Sequence, residues 1–122
     1  MKKILIIDDD VITLQIMKKH LQSQYEVQIE NAGYHFIDKI DDYQMDLILL
    51  DIEMPVMNGL QVFEKLKEHE EKKNIPVIFL TGVAEPQVVM ELINKGANGY
   101  IVKMAAKDEI LQKIEKVLSD IK

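Results

Sequence analysis

The sequence has no cysteine and no tryptophan, and its 122 residues include only 3 prolines and 5 glycines. Without cysteine there can be no disulfide, no thiolate metal site and no Cys nucleophile. Proline and glycine are too few and too scattered to build a linker or a low-complexity stretch. Long apolar runs are missing as well, so no segment reads as a membrane span. The opening Lys2-Lys3-Ile4-Leu5-Ile6-Ile7 is basic then apolar, but it runs into Asp8-Asp9-Asp10 after four apolar residues, which is no secretory signal. Positive charge is the minority, with 15 Lys+Arg against 21 Asp+Glu and a net charge of -6. That balance speaks against direct nucleic-acid binding and against docking on anionic membrane.

What is present is a composition able to bury a core: 48% hydrophobic and 30% charged residues, as in a globular protein. The length suits one domain, taken as residues 1–122. With no cysteine to protect, a cytoplasmic location is expected.

Four short apolar runs stand out: Ile4 to Ile7, Leu47 to Leu50, Val77 to Leu80 and Tyr100 to Val102. None alternates, which suits strands covered by helices on both faces. Tyr25 to Glu30 does alternate and reads as a half-exposed edge strand. Between them, helical spacing recurs in Val11, Leu14, Met17 and Leu21; in Leu60, Phe63 and Leu66; in Val88 or Val89 with Leu92 and Ile93; and in Ile110, Ile114, Val117 and Ile121. A shorter helix is expected over Tyr34 to Ile40. Pro86 suits a helix start, and Gly96 a helix end. The charge run Glu68 to Lys73 reads as solvated surface.

Strand and helix thus alternate five times, which predicts an α/β fold: a doubly wound, five-stranded parallel sheet with five helices. With the alternating strand at an edge, the order is 2-1-3-4-5, the flavodoxin-like arrangement, and ligands bind beyond the carboxyl ends of strands 1 and 3. Asp8, Asp9 and Asp10 follow strand 1; Asp51 and then Glu53 follow strand 3; Thr81 and Gly82 follow strand 4; Lys103 follows strand 5. Singly, each has an ordinary explanation, and Asp10 is best read as the N-cap of the first helix. Gathered at one edge, the acids would repel one another unless a cation joined them. Carboxylates are hard oxygen ligands suited to Mg²⁺. An aspartate can attack phosphorus to give an aspartyl phosphate, with Lys103, the Thr81 hydroxyl and backbone N–H groups neutralising the phosphoryl oxygens. Gly82 leaves space for that group. His20, His35 and His69 lack ligand spacing and read as surface residues.

These motifs carry a resemblance. Ile6-Ile7-Asp8-Asp9, Asp51-Ile52-Glu53-Met54-Pro55-Val56-Met57-Asn58-Gly59, Leu80-Thr81-Gly82 and Gly99-Tyr100-Ile101-Val102-Lys103 resemble the receiver domain of two-component response regulators across essentially the whole chain, in its single-domain chemotaxis or sporulation form. The resemblance implies that Asp51 is the phosphoacceptor. It implies that Asp9 ligates Mg²⁺ directly, that Asp8 acts largely through water, and that the Glu53 backbone carbonyl is a further ligand. It makes Thr81 the switch hydroxyl, Tyr100 the switch aromatic and Lys103 the phosphate-binding lysine. The phosphoryl donor would be a sensor histidine kinase or a histidine phosphotransfer protein. A downstream protein would read the face formed by helix 4, strand 5 and helix 5. The chain would be a stand-alone signalling switch rather than an enzyme, taking part only in its own phosphorylation and dephosphorylation. Two departures from the family pattern stand out. Met104 replaces the proline that usually follows the lysine, where a cis bond would cost about 2.5–4 kcal/mol. Glu53 stands where its side chain bears on phosphoryl lifetime. A flavin binder is disfavoured by three aspartates after strand 1, a Mg²⁺-dependent phosphatase by the lack of a cap region, and a degenerate receiver by the filled site positions.

Overall fold

A computed structural model of the chain describes residues 1–82, 85–103 and 105–120. Apolar runs become strands and periodic segments become helices in strict alternation: β1 (Lys3–Ile7), α1 (Val11–Leu21), β2 (Glu26–Glu30), α2 (Gly33–Asp38), β3 (Leu47–Asp51), α3 (Gly59–Glu68), β4 (Val77–Thr81), α4 (Pro86–Asn94), β5 (Gly99–Val102) and α5 (Lys107–Asp120). All pairings are parallel, in the order β2-β1-β3-β4-β5.

The burial pattern explains why the central strands do not alternate in sequence. Ile4 and Ile6 pack into a core with Leu14, Met17 and Leu21 of α1 and with Ile110 and Ile114 of α5. Leu5 and Ile7 point the other way, into a core with Phe36 of α2, Val62, Phe63 and Leu66 of α3, and Leu92 of α4. β3 divides its residues in the same manner, with Leu47 and Leu49 on one side and Ile48 and Leu50 on the other. Each side chain in turn meets a helical layer, so every position must be apolar. β2 has a strand on one side only and no fully buried residue, and its sequence alternates accordingly.

Local signals fix the helix ends. The Asp10 side chain accepts from Ile12 N and Thr13 N, which caps α1 as expected. Asn58 and Gln61 form a reciprocal capping box on α3. At the end of α4, Gly96 takes φ +107°, Gly96 N donates to Ile93 O and Ala97 N donates to Leu92 O, a Schellman closure seated on the buried Leu92–Ala97 pair.

Two expectations need correction. The second helix stops at Asp38 and a 3₁₀ turn over Ile40–Asp42 follows, because the Lys39 N–H bonds back to both His35 O and Phe36 O and tightens the turn. The charge run after α3 is not simply a solvated surface. His69 is partly buried, with Nε2 2.8 Å from Asp41 Oδ1, and the Lys72 ammonium donates to the Tyr43 carbonyl.

Candidate functional site

Parallel pairing in this register delivers the ends of β1, β3, β4 and β5 to one edge. Asp8 immediately follows β1, Asp51 closes β3, Thr81 closes β4 and Lys103 immediately follows β5. Asp8 is fully buried and Asp51 is 2% exposed, the two charged side chains most deeply buried among the described residues. Backbone contacts hold each in place. Asp8 N donates to Glu30 O at the end of β2, and Asp8 Oδ1 accepts from Asp10 N at 2.9 Å. Behind Asp51, Gly59 N closes the loop after β3 by donating to Ile52 O at 2.8 Å. A Cβ on residue 59 would lie 2.2 Å from the Asp51 carbonyl oxygen. The eight-residue spacing of Asp51 and Gly59 therefore has a steric cause: α3 must begin against the backbone of the strand end. Lys103 N donates to Thr81 O at 2.7 Å, which carries the lysine side chain from the sheet edge toward the acids.

Lys103 Nζ sits 3.0 Å from Asp8 Oδ2 and 3.0 Å from Asp51 Oδ1. One ammonium thus serves two buried carboxylates, and the exposed Asp9 brings its carboxylate close by. Oxygens of Asp8, Asp9 and Asp51 lie within 4.8 Å of one another. Asp51 Oδ2 is buried and finds no hydrogen-bond donor among the described residues. The electrostatics follow. Burial raises the Asp51 pKa to about 7; the Lys103 hydrogen bond works against that rise and the neighbouring Asp8 charge adds to it. For Lys103, burial favours the neutral amine, but its bonds to Asp51 and Asp8 outweigh this and leave the pKa raised. The cluster is short of positive charge, and an acceptor oxygen is left over. Hard carboxylate oxygens in that state fit a divalent cation such as Mg²⁺.

Asp51 also lines an open cleft with Glu53, Thr81, Gly82, Glu85, Val88 and Lys103. A Cβ built on Gly82 meets nothing within 4 Å among the described residues, so their packing does not demand glycine there. Glu53 is exposed at the cleft, and its carboxylate is not part of the three-acid cluster. Tyr100 is half-buried on β5. The Lys103–Met104 peptide lies outside the described residues. Among these residues no other group of His, Asp and Glu is arranged to hold a metal, and two of the three histidines pair with carboxylates instead: His35 with Glu30 at 3.3 Å and His69 with Asp41. What sequence reasoning missed is Lys113. Its Nζ donates to the Tyr100 carbonyl at 3.1 Å and stands 4.7 Å from the centre of the Tyr100 ring. Only the packing of α5 on β5 reveals it.

A sheet of this order, with acids at the ends of its first and third strands and a lysine after its fifth, can be set against known proteins. The model of the response regulator receiver domain matches residues 4–115. This chain belongs to that family. Two receiver-containing relatives show its range. A probable cyclic di-GMP phosphodiesterase of Vibrio cholerae is 35% identical over 82% of this chain, which spans only 23% of that protein. The chemotaxis protein CheY of Halobacterium salinarum is 27% identical over 97% of this chain and 98% of its own length. Among solved structures, the chemotaxis protein CheY4 of Vibrio cholerae superimposes with a TM-score of 0.89 at 29% identity, covering 96% of this chain and 98% of that one. Receivers are thus found both alone and within larger proteins, and this chain has the flavodoxin-like receiver fold. No helix among the described residues is long and apolar enough to cross a membrane.

Proposed function

We propose that this receiver takes a phosphoryl group on Asp51 from a phosphohistidine of a sensor kinase or phosphotransfer protein, and that it signals to a protein partner in the cytoplasm. One observation carries the reading. A buried aspartate at a strand end faces an open cleft with one oxygen held by Lys103 and the other without a donor among the described residues. That is the arrangement a nucleophile needs: fixed in place, desolvated and open on one side.

In the transfer, an Asp51 carboxylate oxygen attacks phosphorus. The N–P bond of the donor breaks as the O–P bond forms, and the imidazole takes up a proton as it leaves. Lys103 holds the carboxylate in position and neutralises charge on a phosphoryl oxygen. The Thr81 hydroxyl supplies a hydrogen bond on the far side of the cleft, and the open ground at Gly82 admits the group. Asp8, Asp9 and Asp51, with the Glu53 backbone carbonyl, would hold Mg²⁺, which supplies further neutralisation of the phosphoryl oxygens. Movement of Thr81 toward the phosphoryl group draws Tyr100 after it and repacks the face formed by α4, β5 and α5, a shift between two packings of unequal affinity for the phosphate. On this reading the chain is a switch and not an enzyme with a substrate of its own.

The test is intact mass after incubation with Mg²⁺ and a small acyl phosphate. A single phosphate adduct is expected on the wild type and none on Asp51→Ala. An unmodified wild type, or an equal adduct on the variant, would overturn the reading.

A further inference from the structure

α5 packs beside β5, and its Lys113 reaches Tyr100. The ammonium makes two contacts with one residue: it donates to the Tyr100 carbonyl at 3.1 Å, and it lies 4.7 Å from the ring centre. A surface lysine on a helix has an easier partner. Glu109 stands four residues earlier on α5, in the order that favours an ion pair. No such pair forms, and among the described residues Lys113 meets no carboxylate within 4.0 Å. Lys113 is half-buried, so its aliphatic stem lies against the protein and the charge is delivered to the tyrosine.

We infer that Lys113 is a positioning residue that locks the Tyr100 ring in the orientation seen here and so opposes the phosphorylation-driven rearrangement. The inference rests on the reading of Tyr100 as a switch. The carbonyl bond fixes the ammonium relative to the β5 backbone. The cation–π attraction then favours the ring position that places its face under the charge. Moving the ring forfeits that attraction, while the carbonyl bond can remain. Lys113 therefore discriminates between two ring positions, which is what a ligand or a side chain must do to shift a two-state equilibrium. A half-exposed contact of this kind shifts the populations about two- to five-fold. The lock sets the resting threshold of the output face without touching Asp51, Lys103 or the acids.

The test uses the 122-residue chain labelled with 3-fluorotyrosine. Four tyrosines give four ¹⁹F signals, and Tyr100→Phe identifies the one that matters. The Tyr100 signal is compared in wild type, Lys113→Met and Lys113→Arg, with and without Mg²⁺ and an acyl phosphate, and phosphate incorporation is read by mass in the same samples. The expected result is a Tyr100 signal in unphosphorylated Lys113→Met moved toward the phosphorylated wild-type position, by about the two- to five-fold shift above. Lys113→Arg, which keeps a cation over the ring, stays with the wild type. An unmoved signal in Lys113→Met, or an Arg variant displaced as far as Met, would overturn the lock. A phosphate adduct without movement of the wild-type Tyr100 signal would overturn its coupling to phosphorylation and leave Asp51 as the acceptor. An absent adduct would count against Asp51, and the lock would then stand if the Lys113→Met signal departs from wild type while Lys113→Arg does not, and fall otherwise.

Discussion

Lys103 Nζ stands 3.0 Å from Asp51 Oδ1, and the same ammonium is equally close to Asp8 Oδ2. One positive charge balances two buried negative ones, and the predictions about the site follow from that shortage.

The first concerns pH. Asp51 has a pKa raised to about 7 in the metal-free fold, from an ordinary value of 3.8, chiefly by burial. Between these values the folded state holds a proton that the unfolded state has lost. The contribution of this group to stability is complete below about pH 4 and is lost as pH rises through 7. In chelator, Asp51→Asn should melt higher than wild type at pH 7.5 by the equivalent of about 1–2 kcal/mol, the full shift being discounted for water in the open cleft. The difference should shrink toward pH 4. Thermal melts across this range check both points, and a constant difference would contradict the linkage.

Removing Lys103 should do the opposite. Lys103→Met leaves Asp8 and Asp51 buried together with no counter-charge, a change expected to cost about 3–5 kcal/mol at neutral pH. Acidification should recover part of the loss by protonating Asp51. Urea unfolding at pH 7.5 and pH 5 measures it. The adduct rate with an acyl phosphate should fall as well, because a phosphoryl oxygen loses its ammonium.

Asp9 separates metal binding from folding. It is exposed, whereas Asp8 and Asp51 are buried. Asp9→Asn should leave metal-free stability within about 0.5 kcal/mol. It should also abolish most of the stabilisation by Mg²⁺, which for wild type amounts to about 2.7 kcal/mol at a concentration 100 times Kd. Melts with and without Mg²⁺ decide it. Equal stabilisation of both proteins would remove Asp9 from the ligand set.

The loop after β3 offers a pair of opposite substitutions. Gly59→Ala drives a Cβ into the Asp51 carbonyl oxygen, and it should destabilise by about 1–3 kcal/mol as α3 is pushed off the strand end. Val56 is the one non-glycine with positive φ among the described residues, at φ 71°, and is 86% exposed. Met57 N donates to Pro55 O across it at 2.8 Å, a strained γ-turn for a β-branched residue. Val56→Gly relieves the strain without losing packing and should stabilise by about 1 kcal/mol. Denaturant midpoints of the two variants should move in opposite directions.

Much of this is legible in the sequence. Apolar runs such as Ile4 to Ile7 declare a strand buried on both faces, because only a two-sided environment leaves no position polar. The edge position of β2 showed in its alternation, and Asp10, Pro86 and Gly96 marked helix ends by their backbone chemistry. Even the gathering of Asp8, Asp51, Thr81 and Lys103 could be reasoned, since parallel strands must all end on one edge. The end of α2 at Asp38 was not legible, because a 3₁₀ turn and a further helical turn differ by a single shift of hydrogen-bond partner. Nor was His69, whose partner Asp41 is distant in sequence.

The sequence by itself determined the alternation of strand and helix, the strand order and the set of side chains at the carboxyl edge, because these depend on periodicity and chain connectivity. Tertiary structure alone decided how those side chains divide the charge. That Lys103 bridges Asp8 and Asp51, that one Asp51 oxygen is buried without a donor among the described residues, and that Lys113 sits over Tyr100 depend on distances of about 3–5 Å between residues far apart in the chain. At that range electrostatics depends on separation and burial, which residue order does not encode.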